Sequence, residues 1–292
     1  MSPNTLNHPV LVGTDGSAAA IDAVRWAACD AARRGAPLHI VYSIDVPTDF
    51  GPSLAFTRID YDDYRRAGAM ITDKARESAA EAAAPIADLD IDTFVVAAAP
   101  IPVLRDRSAD ARLLVVGTHG YGAAGRALLG SVSTSLARHA LCPVAVIPAA
   151  TADTPQKAHG PVVVGVDGSA GGAHALDVAF EQASRRDAPL LAVLTWSGFS
   201  HYIPRIDMRQ EAEALLAETI AGYQEKYPDV QVSRLIAQAH PAKYLLETAE
   251  LAQLIVVGSH GHGGFPGMAL GSVGQAVLHG AHCPVIVARP PN

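Results

Sequence analysis

A glycine-rich motif that occurs twice constrains the fold of this chain more than any other feature. The first copy runs from Gly117 to Ser133 and reads GTHGYGAAGRALLGSVS, and the second runs from Gly258 to Gly274 and reads GSHGHGGFPGMALGSVG. In both copies two residues separate the first pair of glycines, nine separate the next pair, and a serine follows at once. Each copy follows a short apolar run, so a buried strand passes there through a loop into a helix. The repeat predicts two similar domains within 292 residues.

The motif is suited to binding an anion. Glycine allows the backbone to approach a ligand closely, and the first turn of the following helix presents N–H groups without partners. In the first copy these groups belong to Ser131, Val132 and Ser133, which add two hydroxyls, and we expect all of them to contact phosphate. The alternative is that the glycines only make a tight connection between strand and helix. Equal spacing in two copies favours the binding interpretation.

The remainder of each half also repeats. An apolar strand ends in GTDGS around Asp15, and its counterpart ends in GVDGS around Asp167. Ser17 and Ser169 are natural N-caps for the amphipathic helix that follows. Apolar strands that alternate with helices predict an α/β fold with a parallel sheet covered on both faces. Ligands of such sheets bind at the carboxyl ends of the strands, where the aspartates and the glycine motifs both lie.

The two halves differ after their second strand. The first half carries an insertion, which we place around Thr48 to Tyr64, and its long helix is expected from Ala67 to Ala84. A shorter helix is expected from Val103 to Ser108, directly after a Pro-Ile-Pro sequence.

The last strands of the halves, Val144 to Pro148 and Val285 to Ala288, are apolar. We expect them to pair, because each would otherwise be an exposed sheet edge.

Charge and composition limit which partners the chain can bind and in which cellular compartment we expect it. The chain is 49% hydrophobic and 17% charged, as in an ordinary soluble globular protein. Its formal net charge of -7 argues against nucleic acid or an anionic membrane held by a general basic field. Neither a signal-peptide pattern nor a stretch of about 18 apolar residues occurs, so we expect no membrane insertion and a cytoplasmic location. The three cysteines form no CxxC pair, which fits a reducing compartment.

Other motifs do not point to an enzyme of a common class. Residues 120–125 match the dinucleotide fingerprint, but they follow a late strand, and Pro266 stands where the second copy would need its third glycine. No glycine precedes a lysine as in Walker A, and neither a GxSxG elbow nor an HExxH helix is present. His119 and His260 could be metal ligands or general bases, yet neither has a Cys, His or carboxylate at ligand spacing. We expect them to shape the loop or touch solvent near the phosphates.

Taken together, the motifs resemble the universal stress protein family in its tandem two-domain form, and within it the ATP-binding branch. The resemblance rests on the aspartate after the first strand, the spacing of the glycines and the Cys-Pro-Val that opens each last strand, and it covers nearly the whole chain. It implies two tandem doubly wound, Rossmann-like (adenine nucleotide alpha hydrolase-like) domains with strand order 3-2-1-4-5, related by a pseudo-twofold axis. We place domain 1 at residues 1–150, a linker at 151–161 and domain 2 at 162–292.

The resemblance also implies one adenine nucleotide site per domain. It implies nucleoside contacts at Asp15 and Ser43 in the first domain and at Asp167 and Thr195 in the second. Ribose and phosphate contacts are implied at the following residues: Gly117, Gly120, Gly130, Ser131, Val132, Ser133, Gly258, Gly261, Gly271, Ser272, Val273 and Gly274. From the residues alone, the two aspartates could instead bind a magnesium ion or merely turn the chain.

The two copies are not identical. Gly274 replaces Ser133, and the second loop has no basic counterpart of Arg126. We therefore expect the second site to bind phosphates more weakly.

The predicted function is that of a regulator in stress response or growth control, whose ligand is ATP, alone or with Mg²⁺. The alternative is an enzyme that consumes ATP, either a slow ATPase or a nucleotidyl transferase. The residues favour the regulator, because phosphate donors can be assigned but no convincing base or nucleophile. Expected partners are the adenine nucleotide, a second copy of the chain in a homodimer and an unidentified regulatory protein.

Overall fold

The computed structural model describes residues 8–44, 61–118, 129–149, 159–196, 205–261 and 270–289. Contacts divide the chain into two compact units, Met1–Cys142 and Pro143–Asn292. The strands are β1 Val10–Thr14, β2 Leu38–Ser43, β3 Ile91–Val96, β4 Leu113–Gly117, β5 Val144–Ile147, β6 Val162–Val166, β7 Leu190–Trp196, β8 Val232–Gln238, β9 Leu254–Gly258 and β10 Val285–Ala288. The α-helices of the described residues are α1 Ala18–Arg34, α2 Tyr61–Ala83, α3 Pro100–Arg107, α4 Ser131–His139, α5 Ala170–Arg185, α6 Arg205–Lys226, α7 Pro241–Thr248 and α8 Ser272–Gly280.

The sheet of the first unit has the strand order β3-β2-β1-β4, and every pairing in it is parallel. Val10 of β1 lies opposite Leu38 of β2 and Leu113 of β4. Strands β1 and β4 are apolar and almost wholly buried, as strands covered on both faces must be. Helix α1 packs against α2, and α3 packs against α4, which is the pairing expected when helices cover both faces.

The second unit repeats this order as β8-β7-β6-β9-β10, again in parallel. Strand β5, which ends the first sequence repeat, joins this unit by pairing antiparallel with β10, with Val144 opposite Val287. The predicted α/β fold and the predicted pairing of the two last strands are therefore confirmed. The domain limits placed at 150 and 161 stay predictions, since residues 150–158 lie outside the described ranges.

The first helix of each repeat begins where the serine caps predict. Ser17 Oγ accepts the N–H of Ala20 at 3.3 Å, and Ser169 Oγ accepts the N–H of Gly172 at 3.1 Å. Each serine thereby satisfies one of the free donors of a first helical turn. Both helices consequently begin directly after the turn that carries the aspartate.

Two helices of the first unit begin earlier than the sequence pattern predicts. Helix α2 begins at Tyr61 and not at Ala67, so the insertion placed at Thr48 to Tyr64 ends sooner, and its residues 48–60 lie outside the described ranges. Helix α3 begins at Pro100 and not at Val103, because a proline in the first turn gives up an N–H that has no helical partner. Among the described residues, no helix is both long and apolar enough to cross a membrane.

Candidate functional site

A cavity of about 480 Å³ lies in the second unit at the carboxyl ends of β6, β7 and β9. This volume is within the range of small-molecule sites, roughly 300–1,000 Å³. The cavity is lined by Gly165, Val166, Asp167, Gly172, Val193, Thr195, Pro241, Leu245, Val257, Gly258, His260, Gly261, Gly271, Ser272, Val273 and Gly274. It therefore lies where a doubly wound sheet places its ligands.

Every residue predicted for the second site lines this cavity. The set is Asp167, Thr195, Gly258, Gly261, Gly271, Ser272, Val273 and Gly274. These residues come from separate stretches of the sequence, and the parallel strands bring their carboxyl ends to one edge of the sheet. The structure thus assembles the predicted residues around one space, while the ligand of that space stays a prediction.

The Asp167 carboxylate is held by the helix cap that follows it. Its Oδ1 accepts the backbone N–H of Ser169 at 3.0 Å and the Ser169 hydroxyl at 2.6 Å. Gly168 makes the turn possible, because its φ of 78° lies in the region that side chains rarely adopt. In the first unit the Ser17 N–H likewise donates to Asp15 Oδ1, at 3.0 Å. Both aspartates are therefore fixed at the ends of their strands.

Glycines surround the Asp167 carboxylate closely. A Cβ on Gly172 would lie 2.6 Å from Asp167 Oδ1, and a Cβ on Gly261 would overlap Asp167 Oδ2. The aligned position of Gly172 in the first repeat is Ala20. A methyl group at Gly172 would therefore press on the Asp167 carboxylate as it lies here, whereas the first repeat accommodates the methyl group of Ala20.

The first turn of α8 supplies donors to the cavity. The helix begins at Ser272 with Gly271 as its N-cap, and the Gly271 N–H is itself used, since it donates to Ser259 O at 2.8 Å. The N–H groups of Ser272, Val273 and Gly274 donate to no acceptor within the described part of the chain. Together with the positive end of the helix dipole, three free donors favour an anion at this end of the cavity.

The first unit builds the same helix start, with one additional contact. Helix α4 begins at Ser131, and the Gly130 N–H donates to Thr118 O at 2.7 Å. The Ser133 hydroxyl donates to Thr118 O at 3.3 Å and to Gly130 O at 3.0 Å, so in this structure it stabilises the loop. Gly274 has no hydroxyl and cannot form this contact in the second unit. The phosphate contacts of Ser133, and the weaker phosphate binding expected of the second site, stay predictions.

The first glycine of each motif has a structural task that the sequence did not suggest. A Cβ on Gly117 would lie 2.9 Å from the carbonyl oxygen of Ala19, and a Cβ on Gly258 would lie 2.9 Å from that of Gly171. Ala19 and Gly171 occupy the first turns of α1 and α5. These glycines therefore let the end of a strand pack against a helix start, in addition to any close approach of a ligand.

A hydroxyl side chain lies at the end of β2, where Ser43 is the last residue, and one residue before the end of β7, at Thr195. The Ser43 Oγ atom is buried and has no hydrogen-bond partner among the described residues. Thr195, at the same place in the second unit, lines the cavity. A buried hydroxyl without a partner is costly to leave unsatisfied, so it favours a ligand atom at this point of the first unit.

Sequence reasoning missed the apolar wall of the cavity, which Val166, Val193, Pro241 and Leu245 provide. A signal for part of it was present. Gly165 interrupts the valine-rich strand β6, and a Cβ there would lie 3.0 Å from the Leu245 side chain. Because Gly13 sits at the same place in β1, the repeated glycine indicates that a side chain packs over both strand ends.

Some predicted features cannot be placed. Gly120, His119 and Arg126 of the first motif and His262 of the second lie outside the described residues. Among the residues that are described, no group of three His, Cys, Asp or Glu side chains could hold a metal ion.

Comparison with known proteins identifies the family. The model of the universal stress protein family matches residues 7–148 and 159–289. This chain belongs to that family. Universal stress protein Rv2005c of Mycobacterium tuberculosis is 44% identical over 293 residues, 99% of this chain and 99% of the relative. Universal stress protein Rv1996 of the same organism is 39% identical over 315 residues, 100% of this chain and 98% of the relative.

A solved structure shows the same fold. The universal stress protein of Archaeoglobus fulgidus matches with a TM-score of 0.66 and 20% sequence identity, and the match covers 99% of each chain. Two family matches in one chain confirm the tandem form that the repeated motifs predict.

Proposed function

We propose that this universal stress protein binds one adenine nucleotide per repeat, ATP with or without Mg²⁺, and regulates other proteins according to its occupancy. One observation carries the proposal. The free N–H groups of Ser272, Val273 and Gly274 line the same cavity as the Asp167 carboxylate and an apolar wall. A nucleotide has the matching parts, which are an anionic phosphate chain, a ribose with hydroxyl donors and a flat base.

The residues suggest how a nucleotide would lie. The start of α8 would receive the phosphates, because its free donors and its dipole attract anions. Asp167 Oδ1 already accepts two bonds from Ser169, but a carboxylate has further lone pairs for ribose or base donors. Val166, Val193 and Leu245 would cover the base. Two or three bonds to charged oxygens, at about 1.5–3 kcal/mol each, supply much of the roughly 8 kcal/mol that micromolar affinity requires.

A regulatory role fits the site better than catalysis. Among the described residues that line the cavity, only Asp167 and His260 have ionisable side chains, and none is a lysine or an arginine. Phosphoryl transfer needs metal-held phosphates, a positioned nucleophile and cations that stabilise the developing charge. We therefore expect ATP turnover to stay below about 1 per second, under the usual range of enzymes. Faster turnover, lost with nucleotide binding, would support the alternative of an ATPase or nucleotidyl transferase.

Regulation requires that binding change the protein. Nucleotide on the α8 start would stabilise the glycine loop by an amount set by ligand concentration relative to Kd. We propose two protein partners: a regulatory protein that binds this loop, and a second copy of the chain. We propose neither binding to nucleic acid nor insertion into a membrane. None of the three cysteines forms a disulfide, which supports a cytoplasmic site of action.

Replacing one backbone donor at a time tests the binding mode. Ser272→Pro removes the N–H at the first position of α8, where proline is well tolerated, and Gly271 has a φ of -68° and a ψ of 158° that suit a residue before proline. The matched control Ser272→Ala keeps the N–H and removes only the hydroxyl. We expect Ser272→Pro to weaken ATP binding at the second site by about tenfold or more, and Ser272→Ala to do less.

Titration calorimetry of nucleotide-free protein measures these effects. We expect two ATP sites per chain, with Ser131→Pro acting on the first site as Ser272→Pro acts on the second. No ATP binding, or equal affinity for GTP, would refute the proposed function. Equal effects of Ser272→Pro and Ser272→Ala would mean that the Ser272 N–H does not bind phosphate.

A further inference from the structure

We propose that His260 contacts the phosphates of the bound nucleotide and makes the affinity of the second site rise as pH falls. The proposal rests on the proposed function, because it assumes an anionic ligand in the cavity. It adds a specificity-determining side chain to a site that otherwise offers phosphate only backbone donors and small hydroxyls.

The position of His260 supports a contact with phosphate. The residue lines the cavity together with Ser272 and Gly274 of α8. Its backbone lies next to the N-cap of that helix, since a Cβ on Gly271 would be 3.8 Å from His260 Cα. The preceding residue is tied on both sides, with the Ser259 N–H donating to Ala288 O at 2.9 Å and Ser259 O accepting from Gly271 at 2.8 Å. His260 is therefore fixed close to the proposed phosphate end.

The neighbour of the imidazole suits both of its charge states. His260 Nδ1 lies 3.2 Å from Ser259 Oγ, and Ser259 is only 3% exposed. A hydroxyl can donate to the neutral ring, which leaves the ring proton on Nε2, or it can accept from the protonated ring. Gaining a proton thus requires only rotation of one hydroxyl and no rearrangement of the loop.

The ionisable side chains of the cavity also support a contact between His260 and phosphate. Asp167 and His260 are the only ionisable side chains among the described residues that line the cavity, and they belong to different elements. Residues 258–274 contain no lysine or arginine, whereas the first motif has Arg126. Among the described residues that line the cavity, His260 is the one side chain that could become positive beside a polyphosphate. Histidine gains charge between about pH 8 and pH 5, which places the effect in the physiological range.

The test measures dissociation constants for ATP and for adenosine at pH 6 and pH 8 by titration calorimetry. All proteins carry His119→Gln, so that the aligned histidine of the first repeat does not contribute. The variant is His260→Gln, which keeps an amide donor without a charge, and His260→Asn serves if the longer amide does not fold. His262→Gln is the matched control in the same loop. The terminal phosphate of ATP also titrates in this pH range, so the pH dependence of one protein alone does not test the role of His260. The test is the difference in pH dependence between the variants.

We expect ATP to bind the second site about tenfold more tightly at pH 6 than at pH 8, the equivalent of one hydrogen bond to a charged group. His260→Gln should lose most of this difference, His262→Gln should keep it, and adenosine should show none. An unchanged ATP difference in His260→Gln, or its loss in His262→Gln, would overturn the proposal while leaving the proposed function intact. Binding of neither ATP nor adenosine by any of the proteins would refute the proposed function itself.

Discussion

The glycine that ends the fourth strand of each repeat allows a sharp test of what the motif does. In Gly258→Ala the new methyl carbon would lie 2.9 Å from Gly171 O, 3.0 Å from Gly171 C and 3.2 Å from His260 O. In Gly117→Ala it would lie 2.9 Å from Ala19 O and 3.2 Å from Ala19 C. Neither glycine has a positive φ, so the cost arises from contact with backbone atoms and not from backbone strain.

The size of the effect follows from these contacts. Backbone atoms in the first turn of a helix cannot move aside as a flexible side chain can, so the strand and the helix must separate. Forcing an extra methyl group into a packed site typically costs about 1–3 kcal/mol. For a unit of this size, each kcal/mol lowers Tm by roughly 2–4 °C. We expect losses of about 2 kcal/mol, or roughly 4–8 °C. Gly258→Ala should be at least as severe, because its second and third contacts, at 3.0 and 3.2 Å, are shorter than those of Gly117→Ala, at 3.2 and 3.4 Å.

Differential scanning calorimetry of the nucleotide-free protein measures the change. Gly222→Ala is the matched control, because Gly222 lies in α6 and a Cβ there would meet nothing within 4 Å. Alanine in that helix should raise the free energy of unfolding by up to about 1 kcal/mol. If Gly117→Ala and Gly258→Ala kept the Tm of the wild type but lost ATP binding, the helix-packing argument would be wrong. The glycines would then serve only the approach of the ligand.

Two further substitutions test the packing of helices near the sites. Ser108 is fully buried, and its hydroxyl accepts the Leu141 N–H at 2.9 Å. Ser108→Ala should therefore lower the free energy of unfolding, measured by chemical denaturation, by about 1–3 kcal/mol. A change near zero would show that water replaces the hydroxyl. The Tyr223 hydroxyl donates to Ala173 O at 2.8 Å, so Tyr223→Phe should cost about 1 kcal/mol near pH 7. Burial, with the nearby Asp177, raises the pKa of Tyr223, so the folded state holds this proton more tightly and the free energy of unfolding should fall as pH rises above about 10. Tyr223→Phe should reduce that fall, and an identical pH profile in both proteins would contradict the assigned cause.

Local signals in the sequence were sufficient for much of the fold. Ser17 and Ser169 cap the helices that follow them, because capping depends on a serine and the N–H three residues later. The start of α2 at Tyr61 could not be predicted in this way. Its first turns are polar, and a Cβ on Gly68 would lie 2.7 Å from the Val95 side chain and 3.0 Å from Tyr42. Gly68 lies within the range predicted for this helix, so its packing shows where the helix meets β2 and β3 but not why it begins at Tyr61.

In the candidate site, too, local sequence signals predict some features and contacts across the fold determine others. Spacing in the repeated motif was enough to select residues that the sheet brings together, because carboxyl ends of parallel strands meet at one edge whatever the intervening sequence. The roles of single atoms depend on contacts across the fold, which motif spacing does not reveal. The Ser133 hydroxyl, for which a phosphate contact stays a prediction, donates in this structure to Thr118 O and Gly130 O. Because Gly274 has no hydroxyl and α8 still begins at Ser272, the two repeats support the start of this helix by different contacts.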